Sequence, residues 1–197
     1  MDKNNKNIAI AGAGPVGALL GVMLAKKGHQ VDLFESRPDS RETNIYQGKS
    51  INLALSDRGW LALEAVGIAD EIRQHAIPMY HRVMHDVEGN ITKQPYGKNN
   101  QAIWSVSRSG INEQLISMAE AENNCNVHFR HHLTDLDFDH CTARFDHDGE
   151  QVQHKSDLVI GADGAFSKVR RLAQELPKKR ISYSLEYMPQ SYMELSF

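Results

Sequence analysis

Three glycines near the start of the chain have the spacing of a phosphate-binding turn. Gly12, Gly14 and Gly17 form a G-x-G-x-x-G pattern between an apolar run at residues 8–11 and an alanine-rich apolar stretch from residue 15 to about 27. In this pattern the first glycine makes a tight turn, the second lets the backbone approach a pyrophosphate, and the third lets the helix pack closely on the strand. The N–H groups and dipole of the helix N-terminus then face the phosphates. The spacing therefore predicts a nucleotide site.

An acidic residue stands where such a site needs one. Residues 30–34 have the pattern of a second strand, and Glu35 follows it, about 20 residues past the glycine turn, where the motif has a carboxylate for a ribose hydroxyl. A carboxylate there disfavours a 2′-phosphate, so we expect FAD or NAD rather than NADP as the bound nucleotide. Arg37 could reach a phosphate or the adenine, although a solvated surface arginine fits its position equally well. The alternative is a glycine turn in an ordinary α/β domain that binds nothing, and the order of strand, turn, helix, strand and acid argues against it.

A second glycine-containing turn occurs late in the chain. Residues 157–160 predict a buried strand, which leads into Gly161-Ala162-Asp163-Gly164 and then into a helix from about residue 167 to 175. On its own, Asp163 could equally be a structural cap for that helix. With the N-terminal glycines and Arg108, the Asp163-Gly164 pair resembles the D-G fingerprint of flavin-dependent aromatic hydroxylases.

Several strings in the middle of the chain narrow this resemblance. Residues 50–59 (SINLALSDRG), 77–79 (IPM), 94–97 (QPYG) and 105–108 (SVSR) with Asn112 resemble the kynurenine 3-monooxygenase family, and 192–195 (YMEL) are similar to the beginning of its substrate domain. The resemblance covers nearly the whole chain. It departs from the family at residues 47–49, where arginine is expected around Gly48, and at Ile111, where leucine is expected. Lys49 keeps a charge without the bidentate fork of arginine, which weakens the case for a phosphate contact there.

The resemblance implies a set of binding residues. Val16 and residues 35–37 would hold the ADP part of FAD, and Ala54, Arg108 and Leu133 would line the rest of the cofactor. Arg82 and Tyr96 would bind the carboxylate of L-kynurenine, through a charge-assisted contact and a directed hydroxyl donor. From residue types alone, a surface ion pair for Arg82 and a half-buried sheet aromatic for Tyr96 are the simpler interpretations. The cofactor-binding residues expected from motif and resemblance together are Gly12, Gly14, Val16, Gly17, Glu35, Ser36, Arg37, Ala54, Arg108, Leu133 and Asp163.

The resemblance also implies a reaction. The family hydroxylates L-kynurenine to 3-hydroxykynurenine with NADPH and O2, in tryptophan degradation. FAD supplies the chemistry while the protein positions the substrate ring and excludes water, so no catalytic side chain is predicted. NADPH acts as co-substrate without a second nucleotide domain. Two alternatives stay open: an NAD-dependent dehydrogenase, and a non-catalytic nucleotide-binding module that docks on another protein.

The elements that must position these residues predict an α/β fold. We expect a Rossmann-like FAD-binding domain with a mostly parallel sheet over residues 1–180, and the start of an incomplete substrate domain over 181–197, which makes the chain an N-terminal portion inactive by itself. Within the first domain we expect one small inserted antiparallel sheet in residues 79–107. The remaining predicted elements are helices at 57–66, 69–75 and 110–122, the last capped by Ser109, and strands at 51–55, 127–129, 133–138, 141–145, 151–154, 181–183 and 192–195.

Composition excludes some classes of function. The 197 residues carry a net charge of −3, which provides no basic footprint for nucleic acid, and no apolar run has the length of a membrane span. Cys125 and Cys141 match no zinc or redox spacing and fit a reducing, cytoplasmic environment. No metal site is predicted: His81 and His85 fall in a strand pattern, where both point to the same face of a sheet, and the His131-His132 pair lacks partner acids at ligand spacing. The expected partner is a small-molecule substrate.

Overall fold

A computed structural model describes residues 5–42, 52–177 and 181–191. In chain order the elements are β1 (Asn7–Ala11), α1 (Pro15–Lys26), β2 (Gln30–Phe34), β3 (Asn52–Leu55), α2 (Asp57–Val66), α3 (Ala69–His75), β4 (Ile77–Met79), β5 (His81–His85), β6 (Ile91–Pro95), β7 (Ile103–Ser107), α4 (Arg108–Ala121), β8 (Cys125–His128), β9 (His131–Asp137), β10 (Thr142–His147), β11 (Glu150–Lys155), β12 (Leu158–Gly161) and α5 (Lys168–Gln174). They group into two compact units, residues 1–46 with 116–197, and residues 47–115.

The first unit contains a four-stranded parallel sheet in the order β12-β1-β2-β8. Its central strands β1 and β2 bury their apolar residues almost completely, with Ile10, Val31 and Leu33 at 0% exposure. Buried on both faces, such strands have near-continuous apolar sequences, which is why the glycine turn and its flanking strands could be located in the sequence. The sheet confirms the predicted Rossmann-like, mostly parallel architecture.

A three-stranded antiparallel sheet, β11-β10-β9, belongs to the same unit. A hydrophobic cluster joins side chains of β1 and β2 to those of β9 and β10, and Val169 and Leu172 of α5 pack against it. The rings of Phe34 and Phe145 stack at its centre, 4.1 Å apart. The three predicted strands in this region are confirmed, and the turn between β10 and β11 contains Asp148 and Gly149, both with positive φ.

The second unit contains two separate antiparallel sheets where one was predicted. Strands β5 and β6 form a hairpin, and β7 pairs instead with β3 and β4. Cross-strand apolar pairing explains the choice, because Leu53 and Leu55 lie opposite Val106 and Trp104. Every residue of the hairpin strands is exposed, so neither face selects a third strand. The prediction of one inserted sheet was therefore wrong in its pairing.

Two further predictions need correction. Helix α4 begins at Arg108, and the Ser107 hydroxyl accepts the Gly110 N–H at 3.1 Å, so Ser107 rather than Ser109 caps it. Residues 181–183 do not form a strand and lie exposed, because none of the described strands pairs with them. The predicted strand at 192–195, the segment 47–49 and Ile51 lie outside the described residues, and the domain boundary at 180/181 stays a prediction. No described helix combines the length and apolar character needed to cross a membrane.

Candidate functional site

The three glycines of the β1–α1 turn have three different surroundings. Gly12 has φ of +101°, which favours glycine, and a Cβ there would lie 2.6 Å from the carbonyl oxygen of Ala162. A Cβ on Gly17 would lie 1.9 Å from the carbonyl oxygen of Gly12. A Cβ on Gly14 would meet no atom within 4 Å. Gly12 and Gly17 therefore close the turn, while Gly14 leaves its backbone open to a ligand.

Helix α1 begins at this open backbone. Gly14 is its N-cap in an extended conformation and Pro15 is its first residue. No side chain caps this end, and its first turn contains no acidic residue. Val16 is 71% exposed beside the turn. The helix thus presents backbone donors and the positive end of its dipole, the arrangement that binds phosphates.

Glu35 follows β2 and is 6% exposed. Its Oε2 accepts the Ala13 N–H at 3.1 Å, and its Oε1 accepts the backbone N–H and Nε of Arg37 at 3.1 and 2.8 Å. The Ser36 hydroxyl is a longer donor at 3.4 Å. Burial raises the pKa of Glu35, but the hydrogen bonds and charge of Arg37, with the Ala13 N–H, outweigh it and lower that pKa below its ordinary value. The carboxylate is ionised at neutral pH, and Oε2 keeps a lone pair for a ribose hydroxyl.

The residues of the glycine turn and Glu35 fit an adenine dinucleotide. The open Gly14 backbone at a helix N-terminus suits the pyrophosphate, and an ionised carboxylate joined to the same turn through Ala13 suits the ribose. Arg37 folds back onto Glu35, so the structure uses it to hold that carboxylate. Its predicted contact with the cofactor, like those of Val16 and Ser36, stays a prediction.

The Glu35→Gln variant is expected to lose about 1–3 kcal/mol of unfolding free energy at pH 7, because its amide group leaves a buried donor unsatisfied.

The pKa of Glu35 is lower in the folded chain than the value of about 4.3 for the unfolded chain. Its stabilisation is therefore present above pH 4.3 and is lost as the pH falls through the folded pKa. Urea unfolding from pH 7 to pH 3 measures this. The wild-type chain should lose more stability than Glu35→Gln, with exposed Glu150→Gln as the control; parallel pH curves contradict the assignment.

Asp163 lies after β12 and caps the following helix. Its Oδ1 accepts the Ser167 hydroxyl at 2.6 Å, and its Oδ2 accepts the N–H groups of Lys168 and Val169 at 2.6 and 3.1 Å. Asp163 is thus a structural cap of this helix, one of the two roles that the sequence allowed. A cofactor contact stays a prediction.

The other predicted residues lie in different surroundings. Leu133 is 8% exposed within the hydrophobic cluster of the first unit. In the second unit, Ala54 of β3 and Arg108 of α4 are exposed. Arg82 and Tyr96 share one face of the hairpin, with the Arg82 Cζ 6.0 Å from the Tyr96 ring centroid. The structure brings this pair together, as its proposed joint role requires.

Sequence reasoning missed the segment that contacts the backbone of Glu35. The N–H of Glu35 donates to the His128 carbonyl at 2.9 Å, and the His131 N–H donates to the Glu35 carbonyl at 2.9 Å. These contacts involve backbone atoms, so no residue type signals them. No group of three or more histidine, cysteine or acidic side chains in the described ranges has the geometry of a metal site.

Comparisons with known proteins agree with this geometry. The sequence matches the family described as FAD binding domain over residues 5–190. It is 42% identical over 192 residues to kynurenine 3-monooxygenase of Drosophila melanogaster, covering 96% of this chain and 41% of that protein. It is 39% identical over 200 residues to the Salinispora arenicola protein of the same name, covering 100% and 44%. The chain thus spans about two fifths of the length of these curated relatives.

Solved structures of flavin-dependent enzymes share the fold. The p-nitrophenol 4-monooxygenase PnpA from Pseudomonas putida DLL-E4 superposes with a TM-score of 0.70 at 20% identity, covering 84% of this chain and 42% of that one. The flavin-dependent monooxygenase PieE, solved with FAD and substrate, has a TM-score of 0.71 at 21% identity, covering 87% and 32%. At these identities the likeness shows the fold alone. The family match, in contrast, spans almost the whole sequence, and the chain belongs to the FAD-binding domain family.

Proposed function

We propose that this chain is the FAD-binding part of a kynurenine 3-monooxygenase, which hydroxylates L-kynurenine to 3-hydroxykynurenine with NADPH and O2. The observation that carries the FAD assignment is the open Gly14 backbone joined through Ala13 to the ionised Glu35. The substrate assignment rests on relatives of that name at about 40% identity. Because the chain spans 41% of the Drosophila protein, the hydroxylation is proposed for the whole protein.

FAD, when bound, supplies the redox and oxygen chemistry, and the chain's own residues bind and orient. The N-terminus of α1 offsets the negative charge of the pyrophosphate. Glu35 accepts a ribose hydroxyl and repels a 2′-phosphate, so it selects against NADP in this site. Binding NADPH as a transient co-substrate therefore requires contacts other than the glycine turn.

The substrate carboxylate is assigned to the face of the hairpin that carries Arg82 and Tyr96. Arg82 lies opposite Gln94 in the β5–β6 register. Tyr96 is two residues past Gln94, so Arg82 and Tyr96 lie on the same face of the hairpin. Lys93 lies opposite Val83, on the other face. A guanidinium and a phenol hydroxyl on one surface provide a charge-assisted bond and a directed donor. We also propose a cytoplasmic location, which the free thiols of Cys125 and Cys141 support.

Flavin retention tests the cofactor assignment. We expect the purified chain, mixed with FAD and passed through gel filtration, to keep the visible spectrum of bound flavin at a stoichiometry near one. The same experiment with NAD, read at 260 nm, is expected to show no retention. Retention of NAD without FAD would support the dehydrogenase alternative and contradict the proposal.

The Arg82→Met variant is expected to weaken kynurenine binding to the whole protein by about 10- to 100-fold, the cost of about 1.5–3 kcal/mol for a lost charge-assisted hydrogen bond. Kynurenine-induced change in the flavin spectrum measures this affinity. The matched control is Lys93→Met, which removes the same charge from the opposite face of the same hairpin. Equal effects of the two substitutions would show a general charge effect and contradict the role of Arg82.

A further inference from the structure

The connection between β8 and β9 is bonded to the backbone that carries the nucleotide-binding carboxylate. Besides the two hydrogen bonds to Glu35, the Arg130 N–H donates to the Arg37 carbonyl at 3.1 Å. The segment 128–131 therefore contacts the main chain on both sides of Ser36. The orientation of the Glu35 side chain depends on this backbone, so a shift of residues 128–131 is transmitted to the carboxylate.

Segment 128–131 adopts a conformation that needs support. Arg130 has φ of +58°, in the left-handed region, where a residue with a Cβ costs about 1–2 kcal/mol. The Arg130 side chain stabilises this conformation little, because its ion pair with Asp148 is long, at 3.6 Å, and both side chains are mostly exposed. The hydrogen bonds made by the segment must hold it in this conformation.

Two imidazole rings provide part of that support. His131 Nδ1 lies 2.7 Å from the Phe129 carbonyl oxygen, and His147 Nδ1 lies 3.3 Å from that of Arg130. A carbonyl oxygen only accepts, so both rings donate from Nδ1. The rings stack on each other with centroids 4.3 Å apart and planes 20° apart. The carbonyl groups of Phe129 and Arg130 are thus both bound by this one stacked pair of imidazole rings.

We propose that His131, stacked on His147, is a positioning residue for Glu35: its Nδ1–H holds the left-handed turn at Arg130, and the turn fixes the carboxylate that accepts the ribose hydroxyl. This inference rests on the proposed function. The partly buried His131 is not needed as a charge, since burial lowers its pKa and favours the neutral ring. Its contribution is a hydrogen-bond donor at a fixed point.

Three substitutions separate the donor from the ring and from the backbone strain. His131→Phe keeps an aromatic ring for the stack on His147 but removes the donor. His131→Asn keeps an N–H donor close to the position of Nδ1 but removes the ring. Arg130→Gly, combined with His131→Phe, removes the cost of the left-handed conformation that the donor supports.

Calorimetry with ADP and 2′-deoxy-ADP measures the coupling to the ribose. We expect His131→Phe to bind ADP about 3- to 10-fold more weakly than the parent chain, the effect of one hydrogen bond, and 2′-deoxy-ADP unchanged. His131→Asn and the Arg130→Gly/His131→Phe double variant are expected to recover the parent affinity for ADP. Equal losses for both nucleotides, or no recovery in either variant, would show a merely structural role and overturn the inference.

Amide hydrogen exchange without any nucleotide separates this inference from the proposed function. His131→Phe should accelerate exchange at the amides of Glu35, Arg130 and His131, and the added Arg130→Gly should slow it again. Unchanged exchange in His131→Phe overturns the inference whatever the nucleotide data show. A parent chain that binds neither ADP nor FAD contradicts the proposed function, and the exchange result still decides whether the turn holds Glu35.

Discussion

The Gly14→Val variant is expected to lose FAD affinity by about 100-fold or more while folding as stably as the parent chain. A Cβ at this position meets no protein atom within 4 Å, and the extended backbone, with φ of −66° and ψ of 178°, accepts a β-branched residue. A Cβ at this position therefore projects into open space beside the turn, where the pyrophosphate would approach the backbone. Loss of two charge-assisted hydrogen bonds, at about 1.5 kcal/mol each, gives the expected factor.

Flavin fluorescence titration and thermal unfolding of the cofactor-free chain measure the two halves of this prediction. Gly14→Ala serves as a graded control, since its smaller side chain should weaken FAD binding less. If Gly14→Val binds FAD as tightly as the parent chain, the glycine turn is not part of the FAD site. A variant that loses affinity and stability together would leave the affinity loss without a local explanation.

The Gly17→Ala variant is expected to lose at least about 4 kcal/mol of unfolding free energy. Its Cβ would lie 1.9 Å from the Gly12 carbonyl oxygen, which is backbone and cannot rotate away as a side chain can. Relief requires α1 to move off β1, and this separates a helix whose Ala18 and Val22 are fully buried. Losses of this size are exceptional and diagnostic of a broken close contact.

Urea unfolding of the cofactor-free chain measures this loss, with Gly14→Ala as the matched control on the same turn. The control should be neutral or slightly stabilising, because alanine restricts the unfolded chain. If the two alanine variants unfold at the same urea concentration, the close approach of α1 to the glycine turn is contradicted. Gly17→Ala could also fail to fold. Its absence from the soluble fraction, when Gly14→Ala is soluble, would then support the prediction in the same way as a large loss of unfolding free energy.

The β1–α1–β2 unit could be predicted almost to the residue because its signals are local. Glycines at fixed offsets, a proline at the first helical position and buried apolar strands specify it without reference to distant parts of the chain. Glu35 could be placed for the same reason. The position of α4 was less accurate, since Ser107 and Ser109 are both good capping residues and only the backbone decides between them.

Strand pairing in residues 77–107 was beyond local reasoning. Antiparallel strands were correctly expected in residues 79–107, but β7 pairs with β3, a strand about 50 residues earlier in the chain. The sequence of β7 alone does not indicate such a distant partner. The support of Glu35 by residues 128–131 was missed for a similar reason. It depends on carbonyl and amide groups that every residue carries, and on two histidines that the sequence separates.

The parallel sheet pairs the first described strand with the last. Strand β1 lies between β2 and β12, and the Asn7 N–H donates to a carboxylate oxygen of Asp157, 150 residues away. At about 5–20 residues per second, a ribosome releases β12 roughly 8 to 30 s after β1. During synthesis one edge of β1 therefore waits unpaired, and Gly12 lacks the Ala162 backbone that packs against it. The glycine turn is therefore complete only after a segment about 150 residues further along the chain has been synthesised, and contacts of such long sequence separation slow folding.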